Sequence, residues 1–358
     1  MTTEHPKKLF CVRCFVVCLS PFAGATPVCR AVWSQQKMMD ETLANHLDAL
    51  LAGRLSEAET DALLASLTPD TATFEQFTTL ITAVRATACP LPELDEPVFD
   101  CCGTGGSGRP HFNVSTTVAF VLAAGGVRVV KFGNRAATST SGSFDLLEQL
   151  GVPVEYPPER LPRLLAATNL AFLYAPQCYP ALKAVAAARR RFGRPTLFNY
   201  IGPLLHPLHP GRRVMGVSHP RMQAFIAQWL ATNPRTHRAI VVRGHENRDE
   251  LTPVGTSVMY EVTPWRIDKR PWTPPDLRCE VDARAYTPEA NLRQFRDIVT
   301  GRDTVSAEYH SVRLNAGLGF LAAGRVETLT DGADHAAELL AGGHVHRQVE
   351  TFLAQVSR

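Results

Sequence analysis

The sequence predicts an α/β fold in which a small N-terminal helical subdomain precedes a larger α/β domain with a mainly parallel central sheet. Three observations carry this prediction. Between Asp40 and Ala88 the apolar residues recur at helical spacing. From Pro97 onward short apolar runs alternate with helical patterns, as strands joined by helical crossovers do. At the first of these junctions stands the run GTGGSGRPHFNVST, residues 103–116, which puts a glycine turn between a strand and a helix N-terminus.

The elements follow in order. Leu43, Leu47, Leu50 and Leu51, then Leu63, Leu64 and Leu67, then Phe74, Phe77, Leu80, Ile81 and Val84 mark three or four helices, with Asp40 and the pair Ser56/Glu59 as N-terminal capping signals. Residues 89–97 carry three prolines and read as a linker. Strands are expected near 98–102, 127–131, 153–155, 170–174, 213–218, 238–243 and 257–263, with a helix opening at Asn113 and Ser115. The stretch 264–288, with five prolines, reads as an irregular excursion. Helices near 289–300, 306–323, 333–341 and 343–356 close the chain. No internal repeat is visible.

At 358 residues the chain can bury a large core, and its net charge of +3 makes no case for nucleic acid by itself. No uninterrupted apolar run reaches 18 residues, so no transmembrane helix is expected. Four of the nine cysteines (Cys11, Cys14, Cys18 and Cys29) crowd the first thirty residues. Cys11-x2-Cys14 lacks the second pair that a zinc site needs. Lys7-Lys8, an apolar segment and Ala23-Gly24-Ala25 imitate a secretory signal, but Arg13 interrupts it.

Gly103, Gly105, Gly106 and Gly108 leave a backbone almost free of side chains, suited to bringing amide N–H groups against a phosphate. Gly103, Gly105 and Gly108 also satisfy G-x-G-x-x-G. A dinucleotide site would need a carboxylate about 20 residues on. Here the following strand runs into Lys131-Phe132-Gly133-Asn134-Arg135, two cations where an acid belongs, which argues against NAD. No G-K-[ST] follows the glycines, so a P-loop is excluded.

With these motifs in place, the chain from about Met39 to Gln355 resembles the anthranilate phosphoribosyltransferase family, enzymes that join anthranilate to phosphoribosyl pyrophosphate (PRPP). The resemblance rests on GTGG (Gly103–Gly106), FNVST (Phe112–Thr116), K-x-GNR (Lys131–Arg135), TSTSGSFDLLEQLGV (Thr138–Val152), FLYAP (Phe172–Pro176), TLFNYIGPL (Thr196–Leu204), Gly216-Val217 and Asp249-Glu250. It implies a pentosyltransferase that transfers phosphoribose to the amino group of anthranilate or a related aromatic acid and releases pyrophosphate, with Mg2+. It implies PRPP contacts from Gly103, Thr104, Gly105, Gly106, Ser107, Asn113, Ser115, Thr116, Lys131, Asn134 and Ser139. Metal contacts would come from Ser115, Asp249 and Glu250, and Mg2+ takes one or two carboxylates plus phosphate oxygens and water. Acceptor contacts would come from Asn134, Arg189, Phe132 and Tyr179, the planar guanidinium of Arg189 suiting a carboxylate.

The resemblance further implies a cytoplasmic homodimer, a helical subdomain over 39–96 rejoined by about 179–195, and an α/β PRPP-binding domain over 97–178 and 196–358. Residues 1–38 do not conform and are expected outside the fold, with translation starting at Met38 or Met39. Five positions depart from the family pattern. Phe132 and Tyr179 stand in place of histidines, Ser107 in place of the Asp after GTGG, and Asn247-Arg248 in place of a Gly and an apolar residue. A pyrimidine nucleoside phosphorylase-like enzyme and a non-catalytic nucleic-acid-binding relative are the alternatives. Phosphorolysis of thymidine would mark the first. Salt-dependent DNA binding without PRPP affinity would mark the second.

Overall fold

The computed structural model describes residues 41–105, 112–135, 142–275, 279 and 287–357. The N-terminal extension, and with it the capping role of Asp40, lies outside the described residues. So do Gly106, Ser107, Gly108 and Ser139.

Helix α1 (41–51), α2 (Glu57–Ser66) and α3 (Phe74–Arg85) form the first layer. Both α2 and α3 begin with a capping box. Ser56 accepts from the Glu59 amide while Glu59 reaches back to the Ser56 amide, and Thr73 and Gln76 repeat the arrangement. Their apolar faces close on one another through Leu47, Leu64, Phe77, Leu80 and Ile81, all buried.

A seven-stranded sheet follows, in the order β3-β2-β1-β4-β5-β6-β7. The strands are β1 (Phe99–Gly103), β2 (Val129–Gly133), β3 (Leu170–Tyr174), β4 (Arg212–Gly216), β5 (Arg238–Arg243), β6 (Ser257–Thr263) and β7 (Arg266–Trp272). The first five pair in parallel and the last two antiparallel. The chain winds outward from β1 to β3, then returns to place β4 on the other side of β1. That reversal makes the β1/β4 seam the switch point at which ligands bind in open α/β sheets.

Two expectations are corrected. No strand forms at 153–155, where Pro153, Pro157 and Pro158 remove backbone donors; Tyr156 is held instead by its side chain, whose hydroxyl donates to the Phe172 carbonyl. The stretch after Pro264 is not wholly irregular, because β7 pairs along β6 through a tight turn at Pro264-Trp265. An edge strand tolerates Pro271, since its missing N–H faces away from the ladder.

Helix α4 (Val114–Ala124) is buried along nearly its whole length and packs against β1 and α7 (Ala307–Ala323). Close approach there requires Gly319, where a Cβ would fall 2.6 Å from Leu122. Phe120 lies 5.5–5.7 Å from the rings of Phe172, Phe295 and Phe352, edge-on or tilted as aromatic quadrupoles prefer. Helix α6 (Lys183–Phe192) returns to the N-terminal layer, where Arg191 pairs with Glu57 and Asp61 of α2. Among the described residues no helix is long and apolar enough to cross a membrane.

Candidate active site

The site is built at the β1/β4 switch point. Gly103 and Gly216, the last residues of these strands, are paired in register, and the Thr104 amide extends the ladder to the Gly216 carbonyl at 2.9 Å. Both glycines are required by what lies over them. A Cβ on Gly216 would fall 1.5 Å from the Asp249 carbonyl oxygen, and one on Gly103 would fall 2.2 Å from the Asp249 carboxylate. The segment that carries Asp249-Glu250 therefore rests directly on the strand ends. Asp249 Oδ2 accepts the Gly105 amide at 2.7 Å, and Gly105 has φ +67, a conformation that favours glycine.

Neighbouring side chains fix this junction. Ser218 donates its hydroxyl to the Gly105 carbonyl at 2.9 Å, while its amide meets Thr104 Oγ1 at 3.4 Å. Asn315 of α7 accepts from the Leu251 amide at 2.9 Å and donates to the Leu251 carbonyl at 2.8 Å, clamping the backbone just after Glu250. Glu246 and Asn247 both take left-handed φ, 54° and 61°, and Arg243 donates to Asn247 Oδ1 at 2.7 Å. Ser218 and Asn315 went unread in the sequence because an isolated serine or asparagine carries no spacing signal.

At the start of α4, Asn113 donates its amide N–H to Asn291 Oδ1 at 2.9 Å and its side-chain amide to the Gly142 carbonyl at 3.1 Å. Asn113 does occupy the N-cap position but does not cap through its side chain. It ties the helix start to the loop before α5 (Ser143–Gln149) instead. Thr116 is buried, whereas Ser115 beside it is partly accessible. The N-terminus of this eleven-residue helix opens beside the glycine turn, the arrangement that favours an anion.

Lys131 lies inside the molecule rather than at the mouth of the site. It is 2% exposed as a residue, and its ammonium donates to the Cys101 carbonyl at 2.8 Å. Asn134 is exposed and accepts from the Arg135 amide. Arg135 is committed to Glu148 by two hydrogen bonds of 2.8 and 3.0 Å, with Tyr174 beneath it.

On the expected acceptor side, the three arginines of α6 separate clearly. Arg191 takes solvated ion pairs, Arg190 is exposed, and Arg189 turns inward over the Phe198 ring at 5.5 Å. Its Nε is buried without a partner among the described residues, and burial alone lowers its pKa. Phe198 opens a one-turn helix whose Tyr200 packs edge-on against His219, next to Ser218 and thus to the glycine turn. Phe132 and Tyr179 are both buried in contact with each other, and Phe132 also meets His206. The Tyr179 hydroxyl donates to the Leu205 carbonyl, so neither residue presents a free polar group. His206 is neutral, its Nε2–H donating to the Val130 carbonyl and its Nδ1 accepting from Leu208.

Among the described residues no three His, Cys, Asp or Glu side chains form a metal cage. Asp249 and Glu250 still suit Mg2+, which takes few carboxylates and completes its shell with phosphate and water. They offer two adjacent hard oxygen donors, partly accessible, beside a helix N-terminus fit for phosphate.

Residues 95–346 match the model of the glycosyl transferase family, a/b domain. A curated anthranilate phosphoribosyltransferase of Streptococcus mutans serotype c is 32% identical over 321 residues, 89% of this chain and 96% of that protein. The chain belongs to the anthranilate phosphoribosyltransferase family. The crystal structure of that enzyme from Thermus thermophilus superposes with a TM-score of 0.78 at 34% identity, covering 89% of this chain and 96% of the other. The Saccharomyces cerevisiae enzyme in complex with PRPP and Mg superposes at 0.77 with 27% identity, and in complex with 4-fluoroanthranilate at 0.78 with 25% identity. Those two comparisons each cover 89% of this chain, and 92% and 93% of the yeast chains respectively. The chain is thus a glycosyltransferase of the pentosyltransferase class, with the α/β fold and helical domain of that family.

Proposed function

We propose that the protein transfers phosphoribose from PRPP to the amino group of anthranilate or a closely related aromatic acid, releasing pyrophosphate with Mg2+ bound. The observation that carries this reading is the Asp249 carboxylate held on the Gly105 amide at the switch point. One short hydrogen bond couples the glycine turn, suited to phosphate, to the acidic pair suited to the metal. The yeast relative binds PRPP and Mg, which supports the same ligands here.

The reaction breaks the bond from ribose C1 to pyrophosphate, and negative charge grows on the leaving group. When bound, Mg2+ would neutralise that charge; Asp249 and Glu250 would hold one ion, and Ser115 would add a hydroxyl ligand to a second. The backbone amides of the glycine turn and the first turn of α4 bind and orient the phosphates. Asn134, exposed at the end of β2, would contact ribose or acceptor. Arg189 holds the acceptor carboxylate, which fixes the amine for attack at C1 and excludes acceptors without an acid group. A half-buried guanidinium stacked on Phe198, its Nε without a partner among the described residues, suits an anionic ligand. The yeast complex with 4-fluoroanthranilate supports an aromatic acid as its occupant. Family likeness also supports a homodimer in the cytoplasm, the former testable by sedimentation velocity.

The test is a product screen. Purified protein with PRPP, Mg2+ and anthranilate should consume anthranilate fluorescence and release pyrophosphate in equal amounts. No consumption of PRPP with any of the aminobenzoate isomers would refute the proposal.

A further inference from the structure

Arg248, immediately before the acidic pair, carries a consequence for metal binding. Its guanidinium Nη1 lies 4.0 Å from Glu250 Oε1, and the two side chains are only 12% and 14% exposed. Exposed ion pairs are weak because water and salt screen them; a pair this sheltered is screened much less. The local backbone holds Arg248 in place, since its carbonyl accepts the Gly244 amide at 2.8 Å and its own amide donates to the His245 carbonyl. The left-handed residues Glu246 and Asn247, with Arg243 on the Asn247 side chain, shape the turn that delivers it.

We propose that Arg248 is a built-in counter-ion of the metal site: its guanidinium stands beside Glu250 in the free protein, so that a divalent cation binds only weakly until the pyrophosphate arrives to share the charge. This rests on the reading of Asp249-Glu250 as the metal pair. A cation at Glu250 must bind beside a guanidinium 4.0 Å away, whose positive charge opposes it. Pyrophosphate reverses the balance by giving the metal and the guanidinium the same anionic partner, to which Arg248 can make two parallel hydrogen bonds. Arg248 acts on the metal through Glu250 and is therefore a positioning residue.

The experiment titrates Mn2+ into the full chain without PRPP and follows free Mn2+ by electron paramagnetic resonance. R248L should bind Mn2+ roughly tenfold more tightly than wild type, about 1.4 kcal/mol, a change within reach of repulsion between a dication and a nearby guanidinium. R248K, which keeps the charge, should stay close to wild type, and R248Q, a polar replacement less disruptive than leucine, should follow R248L. A merely structural role would move the affinity the other way. Mn2+ affinity in R248L and R248Q equal to or weaker than wild type overturns the proposal, as does the absence of binding in all forms. The comparison needs no PRPP. A separate failure of PRPP and Mg2+ to bind wild type by calorimetry would count against the proposed function and leave the Mn2+ result standing.

Discussion

Asp249 reaches from the segment after β5 to the Gly105 amide at 2.7 Å, and only because Gly216 has no side chain can its backbone lie that close to the sheet. The acidic pair is therefore seated by van der Waals exclusion as much as by hydrogen bonding.

Gly216→Ala tests that seat. The new Cβ would occupy the position of the Asp249 carbonyl, so the segment must lift or the strand end must shift. Overpacking of this kind costs about 1–3 kcal/mol. Denaturant melts should show a loss in that range, and turnover should fall far more than stability. Full activity in a folded Gly216→Ala protein would contradict the close packing described above.

Arg189 makes a sharper prediction because a ligand role and a structural role differ in sign. Arg189→Ala should raise the acceptor KM by about 10- to 100-fold, in keeping with the roughly 1.5–3 kcal/mol of a charge-assisted hydrogen bond, and leave PRPP affinity nearly unchanged. Arg189→Met should be as stable as wild type or more so, since a buried guanidinium lacking an anion among the described residues contributes desolvation cost without a matching ion pair. Equal losses of PRPP and acceptor affinity would sink the assignment of two half-sites.

Phe132 and Tyr179 replace histidines of the family pattern, yet they sit in a buried aromatic cluster. Phe132→His should not restore any acceptor contact. It should instead destabilise the fold by about 1–3 kcal/mol, because the imidazole would be buried between Tyr179 and His206 without a ready partner. Tighter acceptor binding by this variant, measured as KM, would show that the position faces the substrate.

Stability should depend on pH through two histidines. Burial first, then the neighbouring Arg85, pushes His209 down to about 4, and burial pushes the wholly enclosed His206 down as well. In the unfolded chain both imidazoles protonate near the ordinary value of 6.5. Below that pH the unfolded state takes up protons that the folded state refuses, so stability is complete above it and is lost as pH falls toward 4. The melting temperature should drop between about pH 7 and about pH 5. A flat profile there would contradict the depressed imidazoles of His206 and His209.

Much of the fold was legible because periodicity and glycine placement are local signals. The helices expected near 289–300 and 306–323 are Pro288–Val299 and Ala307–Ala323, each begun by a hydroxyl side-chain cap, Thr287 and Ser306. The glycine turn and Asp249 lie 144 residues apart, and only the family resemblance brought them into one reading. The strand β7 was hidden because Pro271 signals irregular chain unless one knows that the strand lies at an edge. Lys131 shows the converse limit. Its motif places it at a strand end, but the sequence does not say that its ammonium turns inward to Cys101. Arg248 was visible as an odd residue beside the acidic pair, and its ion pair with Glu250 emerged only from the geometry.

The most direct test of the central claim is calorimetry of PRPP with Mg2+, comparing wild type with the double variant Asp249→Ala, Glu250→Ala. Wild type should bind PRPP in the presence of Mg2+ and then turn over an aminobenzoate acceptor such as anthranilate. The double variant should stay folded, with a melting temperature lowered by the loss of the Asp249–Gly105 hydrogen bond and of the counter-charge beside Arg248, and should lose turnover. A wild-type protein that neither binds PRPP nor consumes it, or a double variant that turns over as well as wild type, would contradict the account.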